Sequence, residues 1–213
     1  MDVMSNSEMM EIDETTRHFI NEHCTDDVRR LALQASKYPG VNMPFALNQI
    51  AGWQTARKKM PTWAATDAII YPPHLNMEQC SSELTARYKA QIIPTPTLSP
   101  TTLAFPLPST KGGSSKRLNE QTTKRRFVDL TGGFGVDFFF MSQHFEERVY
   151  VEQNPQLCAI SSSNFQRLGL QATAVNTDAE TYLQTMPSAD IIYMDPARRN
   201  EQGCRTYSIA DCT

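Results

Sequence analysis

The stretch Phe127-Val128-Asp129-Leu130-Thr131-Gly132-Gly133-Phe134-Gly135-Val136-Asp137 opens with a short apolar run, meets an acid, and turns through three glycines. A second apolar run, Val136 to Met141, follows and suits the opening of a helix. Strand, glycine turn and helix together bring backbone N–H groups close to a ligand. Glycine serves there because a Cβ would block the approach or forbid the backbone angles. Gly132, Gly133 and Gly135 do not spell G-x-G-x-x-G, and glycine turns also occur without a ligand, so the flanks decide.

Downstream, Arg148-Val149-Tyr150-Val151 reads as a second strand ending on Glu152. An acid roughly 20 residues past the glycine turn stands where a nucleotide-binding α/β unit keeps its ribose carboxylate. Asn154 or Pro155 starts a helix that runs to about Leu168. Residues 172–175 read as a third strand ending near Asp178, and residues 189–194 as a fourth ending on Asp195-Pro196-Ala197-Arg198. Four strand ends thus each carry an acid: Asp129, Glu152, Asp178 and Asp195. In an open parallel sheet those ends share one edge, the edge that binds ligands.

This ordered set resembles the class I S-adenosylmethionine-dependent methyltransferases. Within them it looks most like bacterial methyltransferases that end in a THUMP-like domain, and it is more distantly similar to the cap trimethylguanosine synthases. The superfamily motifs fall within residues 125–200. The closer resemblance also takes in Glu78-Gln79-Cys80-Ser81-Ser82-Glu83-Leu84-Thr85-Ala86-Arg87-Tyr88-Lys89. The resemblance implies a Rossmann-like α/β sheet with S-adenosyl-L-methionine as cofactor, held by Asp129, Thr131, Gly132, Gly133, Gly135, Glu152 and Asp178. Asp129 is expected to face the cofactor's amino group or a bound water. Glu152 is expected to accept from both ribose hydroxyls, since an ionised carboxylate only accepts and has two oxygens to do so. Asp178 is expected at the adenine amino group. Each acid also has a plainer role: Asp129 in the backbone turn, Glu152 on the surface, and Asp178 as a helix cap in Asn176-Thr177-Asp178-Ala179.

Asp195-Pro196-Ala197-Arg198 stands where methyltransferases acting on amino nitrogens often carry Asp or Asn, two prolines and an aromatic residue. The resemblance implies that the Asp195 side chain and the Pro196 carbonyl accept the target's N–H bonds and aim its lone pair at the methyl group. Here Ala197 replaces the second proline and Arg198 the aromatic residue. A guanidinium can stack on a base or hold a phosphate. Asp195, Pro196 and Arg198 are therefore the expected catalytic residues. The plainer alternative is a strand-ending turn with Arg198 and Arg199 in solvent. Carbon-directed chemistry would need a cysteine nucleophile, and no motif marks Cys204 or Cys212. The expected activity is methyl transfer to RNA (tRNA or rRNA) at a base nitrogen. Transfer to a protein or small molecule is one alternative, and a non-catalytic module that binds a partner through the helical half is another.

Charge separates the chain into three parts. Residues 96–126 carry six basic side chains against one acid, whereas residues 127–213 carry five against eleven. A formal net charge of −3 argues against general polyanion binding, but the middle segment is locally basic. With the residues just before it, this segment holds Pro94, Pro96, Pro100, Pro106 and Pro108, then Lys111-Gly112-Gly113-Ser114-Ser115-Lys116-Arg117. Such prolines preclude a long helix or a central strand. The expected domains are a helical one over residues 1–93, a basic Pro/Gly/Ser-rich linker over 94–126, and the cofactor-binding one over 127–213. The linker's basic residues either solvate it or line an RNA cleft. Five scattered cysteines without a C-x-x-C pattern fit reduced thiols, and no zinc spacing appears, so no metal is expected. No apolar run approaches the roughly 20 residues that span a bilayer, and no signal peptide is evident, so a cytoplasmic protein without membrane contact is expected.

The helical half has its own punctuation. Ile12, Thr16, Phe19, Ile20 and His23 recur at helical spacing over residues 8–22. Thr25 is the expected cap of the next helix, and Pro39-Gly40 ends it. Pro44 suits the start of a third helix, with Arg57, Lys58 and Lys59 in its last turn and Pro61 as its stop. Asn76 and Gln79 are the expected cap pair of one helix with Met77, Cys80, Leu84 and Tyr88 on its apolar face. Arg87 and Lys89 fall off that face, as a solvated edge or as part of a substrate surface. The resemblance finally implies seven strands ordered 3-2-1-4-5-7-6, of which four are readable before Thr213. The chain is therefore expected to stop halfway through the sheet and to lack a THUMP-like domain. The fourth strand, apolar enough for burial on both faces, should lie at an open edge. Self-association through that edge and weak activity are the expected consequences.

Overall fold

The computed structural model describes residues 12–94 and 124–196. Expectations that fall on residues 1–11, 95–123 and 197–213, including those for Ala197, Arg198, Cys204 and Cys212, lie outside the described residues.

Four short strands form one parallel sheet: β1 (Arg126–Asp129), β2 (Glu147–Val151), β3 (Thr173–Val175) and β4 (Ile191–Tyr193), in the order β3-β2-β1-β4. Val128 lies opposite Val149 on one side and Ile192 on the other. Successive side chains point to opposite faces, so each strand feeds two cores. Val128, Leu130, Val149 and Val151 pack on one face with Tyr182 and Met186 from α9 (Ala179–Thr185) and its end. Phe127 and Tyr150 pack on the other with Phe138 of α7 (Val136–Met141) and Cys158 and Phe165 of α8 (Pro155–Arg167). Helices on both faces are what a parallel sheet requires, and they make the architecture Rossmann-like α/β.

Upstream lie α1 (Glu14–His23), α2 (Val28–Leu33), α3 (Met43–Lys59), α4 (Pro61–Ala64), α5 (His74–Gln79) and α6 (Glu83–Ile92). Phe19, Leu31, Met43, Ala46 and Ile50 tie the first three together. A second core joins Met60, Trp63, Ile70, Tyr71, Met77 and Ala86 to Phe134, Val136, Phe140, Leu157 and Ile160. Residues on both sides of the 94–126 segment thus share one apolar interior. A buried amide adds to it: the Asn164 side chain accepts from the Ile70 N–H at 3.0 Å and donates to the Ile70 carbonyl at 2.8 Å.

Four local expectations are corrected. Asp27, not Thr25, caps α2, its carboxylate accepting from the Arg30 N–H at 2.8 Å; Asp26 is held by His23 at 2.7 Å, so the helix starts later. Residues 74–92 form two helices rather than one. Cys80 is extended (ψ 154°), and Ser82 caps α6 by accepting from Thr85 N–H at 3.1 Å. The break resets the helix face, which turns Ala86 and Glu83 inward and leaves Leu84 (80%) and Tyr88 (63%) exposed. Buried Glu83 is satisfied by the Thr62 N–H and hydroxyl and by Arg87. Pro61 does not merely stop α3 but begins α4. The last turn of α3 also supplies Lys59, which donates to the Met77 and Glu78 carbonyls at the end of α5. The fourth strand is shorter than residues 189–194, and it is not buried on both faces: Ile192 is 49% and Met194 59% exposed. Its outer side has no neighbouring strand among the described residues.

Candidate functional site

The chain leaves β1 toward β2 and β3 on one side, then returns past β1 to place β4 on the other. The crevice beyond β1 and β4 is therefore the topological switch point, where open α/β sheets bind ligands. The glycine turn closes it. Leu130 N–H donates to the Tyr193 carbonyl and Gly132 N–H to the Val151 carbonyl, at 3.0 and 2.9 Å, so the turn is pinned to both neighbouring strands. Gly133 (φ 55°) and Gly135 (φ 81°) take the left-handed backbone that glycine tolerates. Gly132 and Gly135 have a second reason to lack a side chain. A Cβ at Gly132 would lie 2.1 Å from the Tyr150 ring, and one at Gly135 2.4 Å from Phe165. Internal packing fixes these two, while a Cβ at Gly133 would meet only the Thr131 carbonyl oxygen, at 3.8 Å.

Asp129 ends β1 almost wholly buried, at 1% exposure, and accepts from the Thr131 N–H at 2.9 Å. Burial pushes its carboxyl up to about 7; the Thr131 N–H opposes this, while the charges of Asp137 and Glu152 add to it. Glu152 lies past β2. One of its oxygens accepts from Gly133 N–H at 2.9 Å and the other from Asn154 N–H at 2.8 Å. The predicted ribose carboxylate thus braces the glycine turn directly. Asp178 caps α9, accepting from the Thr181 N–H at 2.8 Å, a bond that holds its carboxyl below the usual range. Asp195 follows β4, and its backbone N–H donates to the Thr131 hydroxyl at 2.7 Å. Asp129, Thr131, the glycines, Glu152 and Asp195 therefore share one edge. Asp178 stands at the β3 side of that edge, Pro196 follows Asp195 directly, and Arg198 lies outside the described residues.

The sequence did not bring Ser81, Lys89, Asp137 and Tyr193 together. Lys89 of α6 donates to the Asp137 carboxylate at 2.8 Å, the Tyr193 hydroxyl at 2.7 Å, the Ser81 hydroxyl at 3.1 Å and the Asp195 carboxylate at 3.3 Å. Burial pulls the Lys89 ammonium down, but bonds to Asp137 and Tyr193 outweigh it and hold the group above the ordinary lysine value. Burial raises the Tyr193 hydroxyl. Asp137 accepts through Oδ2, whereas its Oδ1 is buried with no partner among the described residues. Both ends of this pair stood in stretches already singled out, but no local spacing links residues 48 positions apart.

Among the described residues the edge is electronegative: Asp137 and Asp195 meet the Lys89 ammonium, and the charges of Asp137 and Glu152 reach Asp129. Helix α7, six residues long with Asp137 in its first turn, offers no phosphate cradle. Such an edge repels a pyrophosphate and favours a cationic ligand. Burial raises the thiols of Cys80 and Cys158, which keeps them protonated and poor nucleophiles. Among the described residues no group of three or more His, Cys, Asp or Glu is arranged to hold a metal, and no described helix is long and apolar enough to cross a membrane.

No family model matches the chain, and no curated protein matches it. A crystal structure of a proposed methyltransferase from Porphyromonas gingivalis W83 is similar, with a TM-score of 0.66 and 26% identity over 99% of this chain. The match covers 45% of that protein, so this chain spans less than half the length of its neighbour. The fold is accordingly that of a Rossmann-like methyltransferase.

Proposed function

We propose that the chain carries the cofactor-binding half of an S-adenosyl-L-methionine-dependent methyltransferase that acts on RNA at a base nitrogen. One observation carries this reading: a glycine turn lined with carboxylates and tied through Thr131 to Asp195. The cofactor has a sulfonium and an ammonium but no phosphate, which suits an acidic edge. Each Glu152 oxygen holds one backbone N–H and keeps a lone pair for a ribose hydroxyl. Asp137, close to Asp129 and paired with Lys89, adds to the acidity of that edge. The cofactor supplies an activated methyl group, so the protein mainly aligns donor and acceptor and excludes water. Thr131, Gly132, Gly133, Gly135 and Asp129 shape the donor side, with Asp178 toward the adenine. Asp195 and the Pro196 carbonyl accept the N–H bonds of the target nitrogen, and Arg198 engages the base or a phosphate.

The resemblance to bacterial enzymes with a THUMP-like domain and the basic segment over residues 96–126 support RNA, in the cytoplasm, over other acceptors. Calorimetry with S-adenosylmethionine tests the cofactor, and mass spectrometry of RNA from cells with and without the gene tests the acceptor. Saturable binding and the loss of one methylated base are expected. An absence of cofactor binding would leave a partner-binding module instead.

A further inference from the structure

We infer that Lys89 is a positioning residue that sets Asp195 against the glycine turn, a role that rests on the methyltransferase reading above. An ammonium has three N–H donors, and here four acceptors share them. Around Lys89 the three shortest contacts, to Tyr193, Asp137 and Ser81 at 2.7, 2.8 and 3.1 Å, come from the protein's interior side. The longest, 3.3 Å, reaches Oδ2 of Asp195. The side chains of Lys89 and Asp137 are 23% and 15% exposed, against 53% for Asp195. The cation is therefore anchored from within, and its longest contact, an ion pair that shares a donor with the inner bonds, turns outward to the residue proposed to meet the acceptor.

Among the described residues only Oδ2 of Asp195 is engaged, by Lys89 and by the Tyr193 hydroxyl at 3.4 Å, whose single proton it shares with Asp137. Oδ1 has no partner among the described residues and can accept a target N–H. The backbone of the same residue is fixed separately by Thr131 in the glycine turn. Asp195 is thus held at two points, its N–H by the cofactor side and its carboxylate by α6. Tyr193, just before it on β4, is drawn into the same cluster and bonds Asp137 at 3.3 Å. If Lys89 served only to neutralise Asp137, Asp137 and Tyr193 alone would satisfy it, and Asp195 would be free to swing. The arrangement makes α6, from the helical half, part of the acceptor site, and it places one cation between the first turn of α7 and the end of β4.

The test uses the full chain with S-adenosylmethionine, and RNA from cells lacking the gene as acceptor. Lys89→Gln should lower kcat about tenfold or more, as the loss of a charge-assisted bond in the aligned state implies, while cofactor Kd moves by less than about threefold. In an Asp195→Asn background, which keeps the shape but not the charge, Lys89→Gln should cost nothing further in kcat. That non-additivity is what a merely structural lysine would not produce. Because Lys89→Gln leaves Asp137 unpaired, Lys89→Gln with Asp137→Asn is made in parallel. It should melt near the wild type and show the same kcat loss. Unchanged kcat, multiplying losses, or a parallel loss of cofactor binding would each overturn the role. If the wild type binds no S-adenosylmethionine, the methyltransferase reading itself has failed. The contact is then judged by thermal denaturation of the Lys89→Gln and Asp195→Asn pair: non-additive shifts support the clamp, and additive ones overturn it.

Discussion

Replacing Asp129 by Asn should stabilise the protein above neutral pH and leave it unchanged in acid. Asp129 is almost wholly buried, and its carboxyl is raised from 3.8 to about 7. Below 3.8 it is protonated in both folded and unfolded chains and makes no difference. Between the two values the unfolded chain ionises and the folded one does not, so stability falls as pH rises. Above about 7 both are ionised and the loss is complete, at about 4 kcal/mol by linkage. Asn keeps the shape and an oxygen for the Thr131 N–H bond, now 2.9 Å, but it does not titrate. Urea denaturation of both forms from pH 4 to 8.5 gives the difference directly, and other titrating groups cancel to first order. The Asn form should gain steadily from about pH 4 to about pH 7, then level off. Parallel stability profiles would refute the argument, because they would mean that Asp129 ionises in the fold as easily as in water.

Glu152→Ala should weaken S-adenosylmethionine binding about tenfold or more, since charge-assisted bonds are each worth about 1.5–3 kcal/mol; unchanged affinity in a folded variant would defeat the ribose assignment. Asn164→Leu should destabilise the protein by about 2–4 kcal/mol, because it strands the buried N–H and carbonyl of Ile70, and a wild-type urea midpoint would count against that amide. The outer edge of β4, with Ile192 and Met194 half exposed, should support self-association. Light scattering that shows a monomer across the accessible concentration range would remove that expectation.

The sheet was legible because its strands combine local signals: a run of β-branched or aromatic residues, an acid at or soon after the end, and in most a glycine or proline boundary. Ile191 to Tyr193, followed by Asp195 and Pro196, carries all of them. Helix starts with strong caps were legible for the same reason, as at Asn154, whose side chain accepts from Leu157 N–H at 2.9 Å. Residues 74–92 were misread because Met77, Cys80, Leu84 and Tyr88 fit one helical face, and periodicity cannot register the extended backbone at Cys80. The contacts that build the site were not legible at all. Lys89 meets Asp137 and Asp195, and Ile70 meets Asn164, only after distant segments have packed. Asp178 shows the opposite case: its helix-capping role was plain from its neighbours, and that is the bond it makes.

The charges of the edge explain why its residues belong together. Four carboxylates cannot all be ionised side by side at little cost. Asp129 relieves the crowding by holding its proton to about 7, and Lys89 relieves it by pairing Asp137 with Asp195. Glu152 is stabilised by two backbone N–H bonds instead. Among the described residues a modest excess of negative charge remains beside the turn, which suits the cationic cofactor proposed above better than a ligand with phosphates. A neutral or basic turn on the same backbone would suit a dinucleotide. The distinction between the two ligand classes therefore lies less in the glycines, which are largely explained by Tyr150 and Phe165, than in the acids around them. Lys89 matters in this balance because it comes from the helical half. Without α6 packed across α7, Asp137 and Asp195 would face each other unpaired, so the helical half completes the electrostatics of the site as well as its core.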